Sequence, residues 1–242
     1  MVLPSCDKTP KYYPWVVDVN VANIEKPNPY PIQTGLFSIS DNVQVEISRG
    51  NLQYKGETYR FAPSQLHCCR IPGMNNDGYE DLFPYVDERT HLTINEEQWR
   101  MLAVNEWKYL LYQRANAELL IGQARVEGLN GLILLPDTWQ EVDGITFIPS
   151  PSESIENTYS IDEWHRMEAA GAIFLPAAGY YQKGEFRFVG LYGYYWSLTD
   201  AVIHDNYIFY CYKGSVWGNA VDAIDGNYPS DLPLYLSIRL VK

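Results

Sequence analysis

Histidine and cysteine are the side chains that most readily supply acid–base, nucleophilic or metal chemistry. The chain has four of each among its 242 residues, and the histidines stand far apart, at His67, His91, His165 and His204. A catalytic triad needs a nucleophile, a base and an orienting carboxylate, and phosphate chemistry usually needs a glycine-rich loop. The sequence contains neither pattern. We therefore predict that the chain is not an enzyme.

Cysteine pairing is the second kind of chemistry to consider. The four cysteines are Cys6, Cys68, Cys69 and Cys211. Adjacent cysteines do not readily bond to each other, and no two have the spacing typical of zinc ligands. Two alternatives remain open, which are free thiols or one disulfide from Cys68 or Cys69 to Cys211. Cys6 follows Leu3-Pro-Ser, which is typical of the end of a lipoprotein signal, so Cys6 is either lipidated or a chance match.

Calcium binding is the third candidate chemistry, in the oxygen-rich residues 218–233. Their carboxylate and amide side chains include Asp222, Asp225, Asp231, Asn219 and Asn227. Calcium prefers such oxygen ligands, but the spacing of an EF-hand loop is absent, and solvated turns have the same composition. We expect no resident cofactor or metal, with calcium in this loop as the alternative.

Residues 200–235 carry aromatic and apolar side chains without a regular period, whereas 193–199 and 236–241 have the composition of core strands. Aromatic residues of this kind favour a contact surface, because rigid aromatic side chains supply much of the energy of binding interfaces. The residues that we predict to bind a ligand are Tyr180, Tyr181, Tyr192, Tyr194, His204, Asp205, Ile208, Tyr210, Tyr212, Trp217, Asn219, Asp222, Asn227 and Tyr228.

Within this block, residues 207–212 are predicted to form a strand if Gly214 closes a hairpin. Side chains alternate between the two faces of a strand. One face would carry Tyr207, Phe209 and Cys211, and the other would carry Ile208, Tyr210 and Tyr212. An exposed patch of two tyrosines and an isoleucine is typical of an interaction site. The alternative is that residues 220–234 cover Tyr210 and Tyr212.

Charge and composition exclude two classes of partner. The chain has 18 basic and 30 acidic residues, which gives a formal net charge of −12. Nucleic acids and anionic membranes bind clustered lysine and arginine, and no such cluster is present. Tyrosine, by contrast, is abundant, with 20 residues. The composition therefore favours a protein or glycan partner and no nucleic acid.

The N-terminal residues 1–34 differ from the rest of the chain. They contain six prolines, which remove backbone donors and restrict the backbone. We predict an extended, proline-rich arm over 1–34 and one domain over 35–242. Such an arm must lie on its own domain or dock onto a larger assembly.

Short strands and two main helices are expected in the domain. Alternating residues predict strand pairs over 36–40 with 43–47 and over 51–54 with 58–61, and a long loop region over 63–95. Apolar runs at 131–135 and 172–176, each closed by proline, predict two buried strands. Many short strands of mixed and antiparallel direction with two helices indicate an α+β fold.

The two predicted helices cover about 105–115 and 161–170. Ser160 and Glu163 have the spacing of a capping box at the start of the second helix. The first helix begins after Ala103, whose side chain cannot accept a hydrogen bond, and this costs the helix about 1 kcal/mol relative to threonine.

A series of short motifs in this order resembles the Fibrobacter succinogenes major paralogous domain family over residues 35–242. The motifs are Gly50-Asn-Leu-Gln-Tyr54, Tyr59-Arg-Phe-Ala62, Asp81-Leu-Phe83, Trp99-Arg100, Glu106-Trp-Lys-Tyr-Leu-Leu111, Gly131-Leu-Ile-Leu-Leu-Pro-Asp137, Trp139, Met167-Glu168, Phe174-Leu-Pro-Ala-Ala-Gly179, Gly193-Tyr-Tyr-Trp-Ser197 and Ser237-Ile-Arg-Leu-Val241. The chain departs from the family at Leu198, where members commonly have serine, and at Ala103, where they have threonine.

This resemblance implies a C-type-lectin-like fold of the branch that includes the formylglycine-generating enzymes. Those enzymes use a pair of C-terminal cysteines, and this chain has only Cys211 in its second half, so the resemblance does not imply that activity. The calcium motifs of the lectins are absent as well. The family's strand places Tyr207, Phe209 and Cys211 inward, which leaves Ile208, Tyr210 and Tyr212 on the outer face.

Some proteins that this chain resembles are targets of diversity-generating retroelements, which mutate adenines in a block before the C-terminus. Mutated asparagine codons cannot yield Glu, Gln, Lys, Met or Trp. Between Thr199 and Leu236 only Lys213 and Trp217 fall outside the reachable set. We expect a ligand-recognition protein whose variable face is about 180–230, on a bacterial surface or a phage virion. The alternative is a structural or adhesive subunit of a surface fibre or phage tail with one fixed partner.

Overall fold

The structure is a computed structural model that describes residues 21–67, 78–81, 83–84, 91–149, 157–182, 184–198, 206–210 and 235–242. At positions 21, 83, 84, 104 and 206–210 the description covers the backbone only. The predictions for residues 1–20, for the four cysteines and for the loop 218–233 lie outside the described residues.

Two main helices are present in the described part of the chain, as the sequence predicts. They are α2 (Val104–Lys108) and α3 (Ile161–Ala169), and a short helical turn, α1 (Val21–Ile24), precedes them. α2 continues as a π-helical turn over Tyr109–Gln113, and a 3-10 turn follows at Ala117–Leu119. No helix in these ranges is long and apolar enough to cross a membrane.

Short strands account for most of the remaining regular structure. They are β1 (Phe37–Ser40), β2 (Val43–Val45), β3 (Leu52–Lys55), β4 (Thr58–Phe61), β5 (Phe83–Pro84), β6 (Leu92–Ile94), β7 (Glu97–Met101), β8 (Ile121–Val126), β9 (Leu129–Leu134), β10 (Asn157–Tyr159), β11 (Ile173–Pro176), β12 (Tyr180–Gln182), β13 (Glu185–Arg187), β14 (Tyr192–Trp196), β15 (Asn206–Tyr210), β16 (Tyr235–Leu236) and β17 (Leu240–Val241).

The strands form three sheets and three two-stranded ladders. The sheets have the orders β10-β8-β9-β11, β13-β12-β16-β5 and β17-β7-β6, and the ladders are β1-β2, β3-β4 and β14-β15. All of these pairings are antiparallel except β10 with β8, which is parallel. This mixed, sheet-rich architecture with few helices is compatible with the predicted α+β class.

The central sheet is built on the two buried apolar strands that the sequence predicts. β9 is buried at every position and pairs antiparallel with β11, with Leu134 opposite Ile173 and Gly131 opposite Pro176. A side chain at Gly131 would meet the Phe174 ring at 2.2 Å, so only glycine permits this close packing. Trp164 of α3 packs against Phe174 with ring centroids 5.6 Å apart, which fixes the helix on the sheet.

The two main helices begin in similar backbone conformations but with different caps. Ser160 accepts from the backbone N–H of Glu163, and the Glu163 carboxylate accepts from the Ser160 N–H at 2.8 Å, which confirms the predicted capping box. At α2 the Glu106 carboxylate likewise accepts from the Ala103 N–H at 2.8 Å. The Ala103 side chain has no oxygen to accept from the N–H of Glu106, so α2 has only one of the two hydrogen bonds of a capping box.

Residues 21–34 of the predicted arm belong to the domain. Instead of being extended throughout, the chain forms a helical turn at Val21–Ile24, and Ile24 is completely buried in the core cluster that contains Trp164 and Phe174. Asn23 donates to the Glu127 carboxylate, whose second oxygen accepts from the N–H of Ile161 at the start of α3. The described part of the arm therefore lies on its own domain, which is one of the two predicted alternatives.

The rest of this segment lies along α3 and is hydrogen-bonded to it. Asn28 donates to the carbonyl of His165 and to the carboxylate of Glu168, and the Tyr30 hydroxyl donates to Asp162. The N–H of Gln33 donates to Ala169 at the end of the helix. Proline thus shapes the path of the segment without separating it from the domain.

The region 63–95, predicted as a loop, contains strands in its described part. β5 pairs with β16, and β6 pairs with β7 around a two-residue turn at Asn95 and Glu96, both with positive φ. Turns of this kind usually carry Asn-Gly or Asp-Gly, so the Asn-Glu pair gave no recognisable signal for the hairpin.

Candidate ligand-binding surface

Six of the predicted ligand-binding residues lie on three described strands. Tyr180 and Tyr181 are on β12, Tyr192 and Tyr194 are on β14, and the backbones of Ile208 and Tyr210 are on β15. The others lie outside the described residues, and they are His204, Asp205, Tyr212, Trp217, Asn219, Asp222, Asn227 and Tyr228.

The strand predicted within 207–212 is present at Asn206–Tyr210, and the hairpin at Gly214 lies outside the described residues. β15 pairs antiparallel with β14, and Tyr210 lies opposite Tyr192. The pairing with β14 was not predicted, because the sequence gives the alternation of a strand but not the identity of its neighbour. Whether Ile208 and Tyr210 face outward remains a prediction.

The block 211–234 is attached to the described fold beside the predicted tyrosines. It follows Tyr210, which pairs with Tyr192, and it precedes Tyr235, which pairs with Tyr181. β12 and β14 are themselves connected, because the N–H of Gly179 donates to the carbonyl of Tyr192 at 2.8 Å. Both ends of the block are therefore held at one place on the protein.

Three of the tyrosines predicted to extend the exposed face are buried instead. Tyr180 is 8% exposed, Tyr181 is 9% exposed and Tyr194 is 5% exposed. Tyr180 and Tyr194 pack in a core cluster with Leu52 and Leu236, while Tyr181 packs against Tyr235 on the other side of β12. Both faces of β12 are covered, so neither of its tyrosines extends the exposed face. Of these four tyrosines, only Tyr192 is half-buried.

Four rings form a continuous group at this place, which we call the aromatic cluster: Tyr180, Phe188, Tyr192 and Tyr194. Ring centroids lie 5.1 Å apart for Tyr180 and Tyr194, and 4.9 Å apart for Phe188 and Tyr192. Tyr180 and Phe188 are 5.7 Å apart. The rings are edge-on or tilted to one another, which is the arrangement that aromatic side chains prefer. The cluster is thus a rigid group that extends from the core to the surface.

Phe188 is the exposed end of the aromatic cluster. It is 41% exposed, and its backbone is left-handed with a φ of 58°. Bulky residues rarely adopt this conformation because the side chain crowds the backbone, and such strain persists only where the surroundings impose it. Strained residues of this kind concentrate at functional sites, so Phe188 marks the cluster as a candidate site.

The backbone around Phe188 is fixed from two sides. The carbonyl of Phe188 accepts from the N–H groups of Leu191 and Tyr192, and the N–H of Gly190 donates to Ala177 at 2.7 Å. A side chain at Gly179 would lie 2.1 Å from the carbonyl oxygen of Arg187, so the loop approaches Gly179 as closely as a residue without a side chain allows. These contacts hold the Phe188 ring at the surface.

Sequence reasoning did not identify Phe188 as a site residue. The available signal was a pair of glycines, Gly184 and Gly190, on either side of a short hydrophobic and charged stretch, which is typical of a hairpin followed by a loop. Nothing in the residue type of Phe188 indicates a left-handed backbone. Its role became visible only from the conformation and the exposed ring.

The described part of this surface presents aromatic rings and an exposed ion pair. The aromatic cluster presents ring faces and edges, and the exposed ion pair of Arg187 with Glu185, at 3.3 Å, lies beside it on β13. Among the described residues, no group of three His, Cys, Asp or Glu side chains could hold a metal ion. His165 is on α3, where burial lowers its pKa and Glu168 partly opposes this effect. Such a set of side chains suits stacking, cation–π contact and hydrogen bonding.

Comparisons with protein-family models, with curated proteins and with solved structures give no match to this chain.

Proposed function

We propose that this chain is a non-enzymatic recognition protein with a C-type-lectin-like fold, which binds a ligand through the surface formed by residues of about 180–230. The observation that carries the proposal is the exposed ring of Phe188, which has a left-handed backbone, at the end of the aromatic cluster. The ligand is a protein or glycan on another cell or particle, and the protein acts outside the cell, on a bacterial surface or a phage virion.

The geometry supports recognition because it combines a rigid base with an attached block of aromatic composition. Residues that dominate binding energy are usually aromatic and held by packed neighbours. Phe188 and Tyr192 meet this description, since Tyr180 and Tyr194 anchor them in the core. The block 211–234 begins after Tyr210, which pairs with Tyr192, and ends before Tyr235, which pairs with Tyr181. Its composition includes Tyr212, Trp217 and Tyr228.

We further propose that residues 199–235 are the target of a diversity-generating retroelement. The composition supports this proposal, because only Lys213 and Trp217 in the block lie outside the set that mutated asparagine codons reach. The strand pairings at Tyr210 and Tyr235 support it as well, since backbone pairing on each side of residues 211–234 does not depend on which side chains vary.

Sequencing the DNA that flanks the gene tests diversification directly. We expect a near-copy of the codons for residues 180–240 that differs only at adenine positions, next to a reverse-transcriptase gene. With no such repeat, the surface is fixed, and the alternative of a fibre or tail subunit with one dedicated partner replaces the retroelement proposal.

Binding itself is tested with the variant Phe188→Gly on arrays of bacterial surface proteins and glycans. We expect the variant to lose capture by at least about tenfold, as for residues at the centre of an interface. Its free energy of unfolding should change by less than about 1 kcal/mol, because glycine accepts the left-handed backbone and this offsets the lost ring contacts.

The matched control is Leu119→Ala, which removes an apolar side chain that is 54% exposed and outside the aromatic cluster. We expect this variant to capture the same ligands as the wild type. Equal capture by Phe188→Gly and Leu119→Ala would show that the aromatic cluster is not the binding site.

A further inference from the structure

A cavity of about 270 Å³ lies on a part of the protein that contains none of the aromatic cluster. Its walls come from the N-terminal segment at Ile32 and Gln33, from the residues after β2, from the β6–β7 hairpin and from the end of α3. Lys242 closes one side. The volume is close to the lower limit of small-molecule sites in proteins, so it suits a ligand of roughly ten non-hydrogen atoms.

One ammonium group in this cavity is surrounded by groups that attract cations. The Nζ atom of Lys242 lies 2.5 Å from a carboxylate oxygen of Glu97 and 3.1 Å from one of Glu46. The same atom lies 5.1 Å from the centre of the Trp99 ring. Two carboxylates with an indole face are the chemical groups that recognise amines in proteins.

The backbone of Lys242 is fixed by hydrogen bonds, whereas its side chain is held only by ion pairs at a partly exposed position. The N–H and carbonyl of Lys242 exchange hydrogen bonds with Glu46 at 3.0 and 2.9 Å. The side chain crosses the Trp99 ring on a flexible four-carbon stem, with 26% of its surface exposed. Trp99 is buried, with Lys242 over its ring. Withdrawal of Lys242 would open the ring face and both carboxylates to the cavity.

The charges in the cavity favour a cation over an anion. The other cation, Arg49, is neutralised by Glu168, with nitrogen and oxygen 2.7 Å apart. Lys242 is paired with two glutamates, so the cavity has one negative charge in excess. The formal net charge of −12 adds a long-range attraction for cations.

We propose that this cavity is a binding site for a small organic cation with a primary amine, whose ammonium group takes the place that Lys242 occupies. The Lys242 ammonium group then competes with the ligand for the carboxylates of Glu46 and Glu97. The site is open to a ligand when the Lys242 side chain turns outward. The site is separate from the aromatic cluster, and the inference does not depend on the proposed recognition function.

Titration calorimetry with pentane-1,5-diamine tests the site. We expect weak binding to the wild type and binding about tenfold tighter or more to Lys242→Met, because methionine leaves the stem in place and removes the competing charge. The double variant Lys242→Met with Glu97→Gln should lose this gain. Lys108→Met is the matched control, since Lys108 is exposed on α2, and it should bind the diamine like the wild type.

Pentanedioic acid has the same carbon length as the diamine and the opposite charge. Its affinity therefore distinguishes a cation site from an anion site at Arg49. Equal affinity of Lys242→Met and Lys108→Met for the diamine would overturn the proposal, as would preferential binding of the diacid. If Lys242→Met does not fold, as judged by circular dichroism, Lys242→Gln replaces it with the same expected results.

Discussion

Asp137 shows how one side chain connects distant parts of the chain. One of its oxygens accepts from the backbone N–H and hydroxyl of Ser38 and from Gln44, and the other accepts from the buried guanidinium of Arg114 at 2.9 Å. Burial by itself raises the pKa of Asp137, but the bonds from Ser38, Gln44 and Arg114 outweigh it and leave the pKa below its ordinary value.

The lowered pKa of Asp137 predicts how stability depends on pH. A carboxylate whose pKa is lower in the folded state stabilises the fold fully above its unfolded pKa of about 3.9, and this contribution is lost as the pH falls through the folded value. Asp137→Asn should cost about 2 kcal/mol at pH 7, since it leaves Arg114 buried without its partner and Asp137 is half-buried.

Urea denaturation of the wild type and of Asp137→Asn from pH 7 down to below pH 4 is the measurement. We expect the difference in unfolding free energy to narrow as the pH falls below about 4. Asp143→Asn, at an exposed position, is the matched control and should change the unfolding free energy at pH 7 by less than about 0.5 kcal/mol. A difference that widens towards low pH would contradict the assigned pKa direction.

At the residue scale, the sequence indicates which side chains are unusual but not what they contact. Asp137 follows the apolar run 131–135 and Pro136, so a polar residue at the end of a buried strand was visible. Its partners come from residues 38, 44 and 114, and only the fold brings them together. The same limit explains Phe188, whose left-handed backbone is imposed by the surrounding chain.

At the element scale, the caps of α2 and α3 form a matched pair. Ser160→Ala should destabilise the protein by about 1 kcal/mol, because it removes the side-chain acceptor at the start of α3. Ala103→Ser should stabilise it by about 0.5–1 kcal/mol, because it completes the box that Glu106 already half forms.

Chemical denaturation of both variants measures the effect of each cap. Ser160→Gly is a useful control, since glycine at this position costs only a few tenths of a kcal/mol. A loss of stability in Ala103→Ser would mean that packing around Ala103, which forms a bridge with Leu198, outweighs the added hydrogen bond.

The elements that the sequence predicts correctly have strong local signals. Alternation identified β1 with β2 and β3 with β4, and the capping box located α3. The β6–β7 hairpin was missed, because its turn at Asn95 and Glu96 adopts positive φ without glycine. The pairing of β15 with β14 was not predicted, because pairing is decided by the sheet and not by the strand's own residues.

At the scale of the whole molecule, the segment 21–34 is part of the domain. Ile24→Ala should lower the free energy of unfolding by about 2–4 kcal/mol, because Ile24 is completely buried and its removal leaves a cavity. Ile32→Ala, at an exposed position of the same segment, should cost less than about 1 kcal/mol.

Thermal and urea unfolding of Ile24→Ala and Ile32→Ala measure how much the packing of the segment contributes to stability. Equal, small losses would mean that the segment detaches readily from the domain. The sequence could not predict this packing, because prolines indicate an irregular path but not the surface on which that path lies. Asn23, Asn28 and Tyr30 bind side chains more than 100 residues away, at Glu127, Glu168 and Asp162.

The two pairings that hold Tyr210 and Tyr235 have a practical consequence for protein engineering. Both anchors use backbone hydrogen bonds to β14 and β12, so they depend little on which side chains lie between them. The entropy cost of closing a loop grows only with the logarithm of its length. Peptides of different length and origin could be grafted between these two tyrosines, which would make the domain a carrier for foreign epitopes.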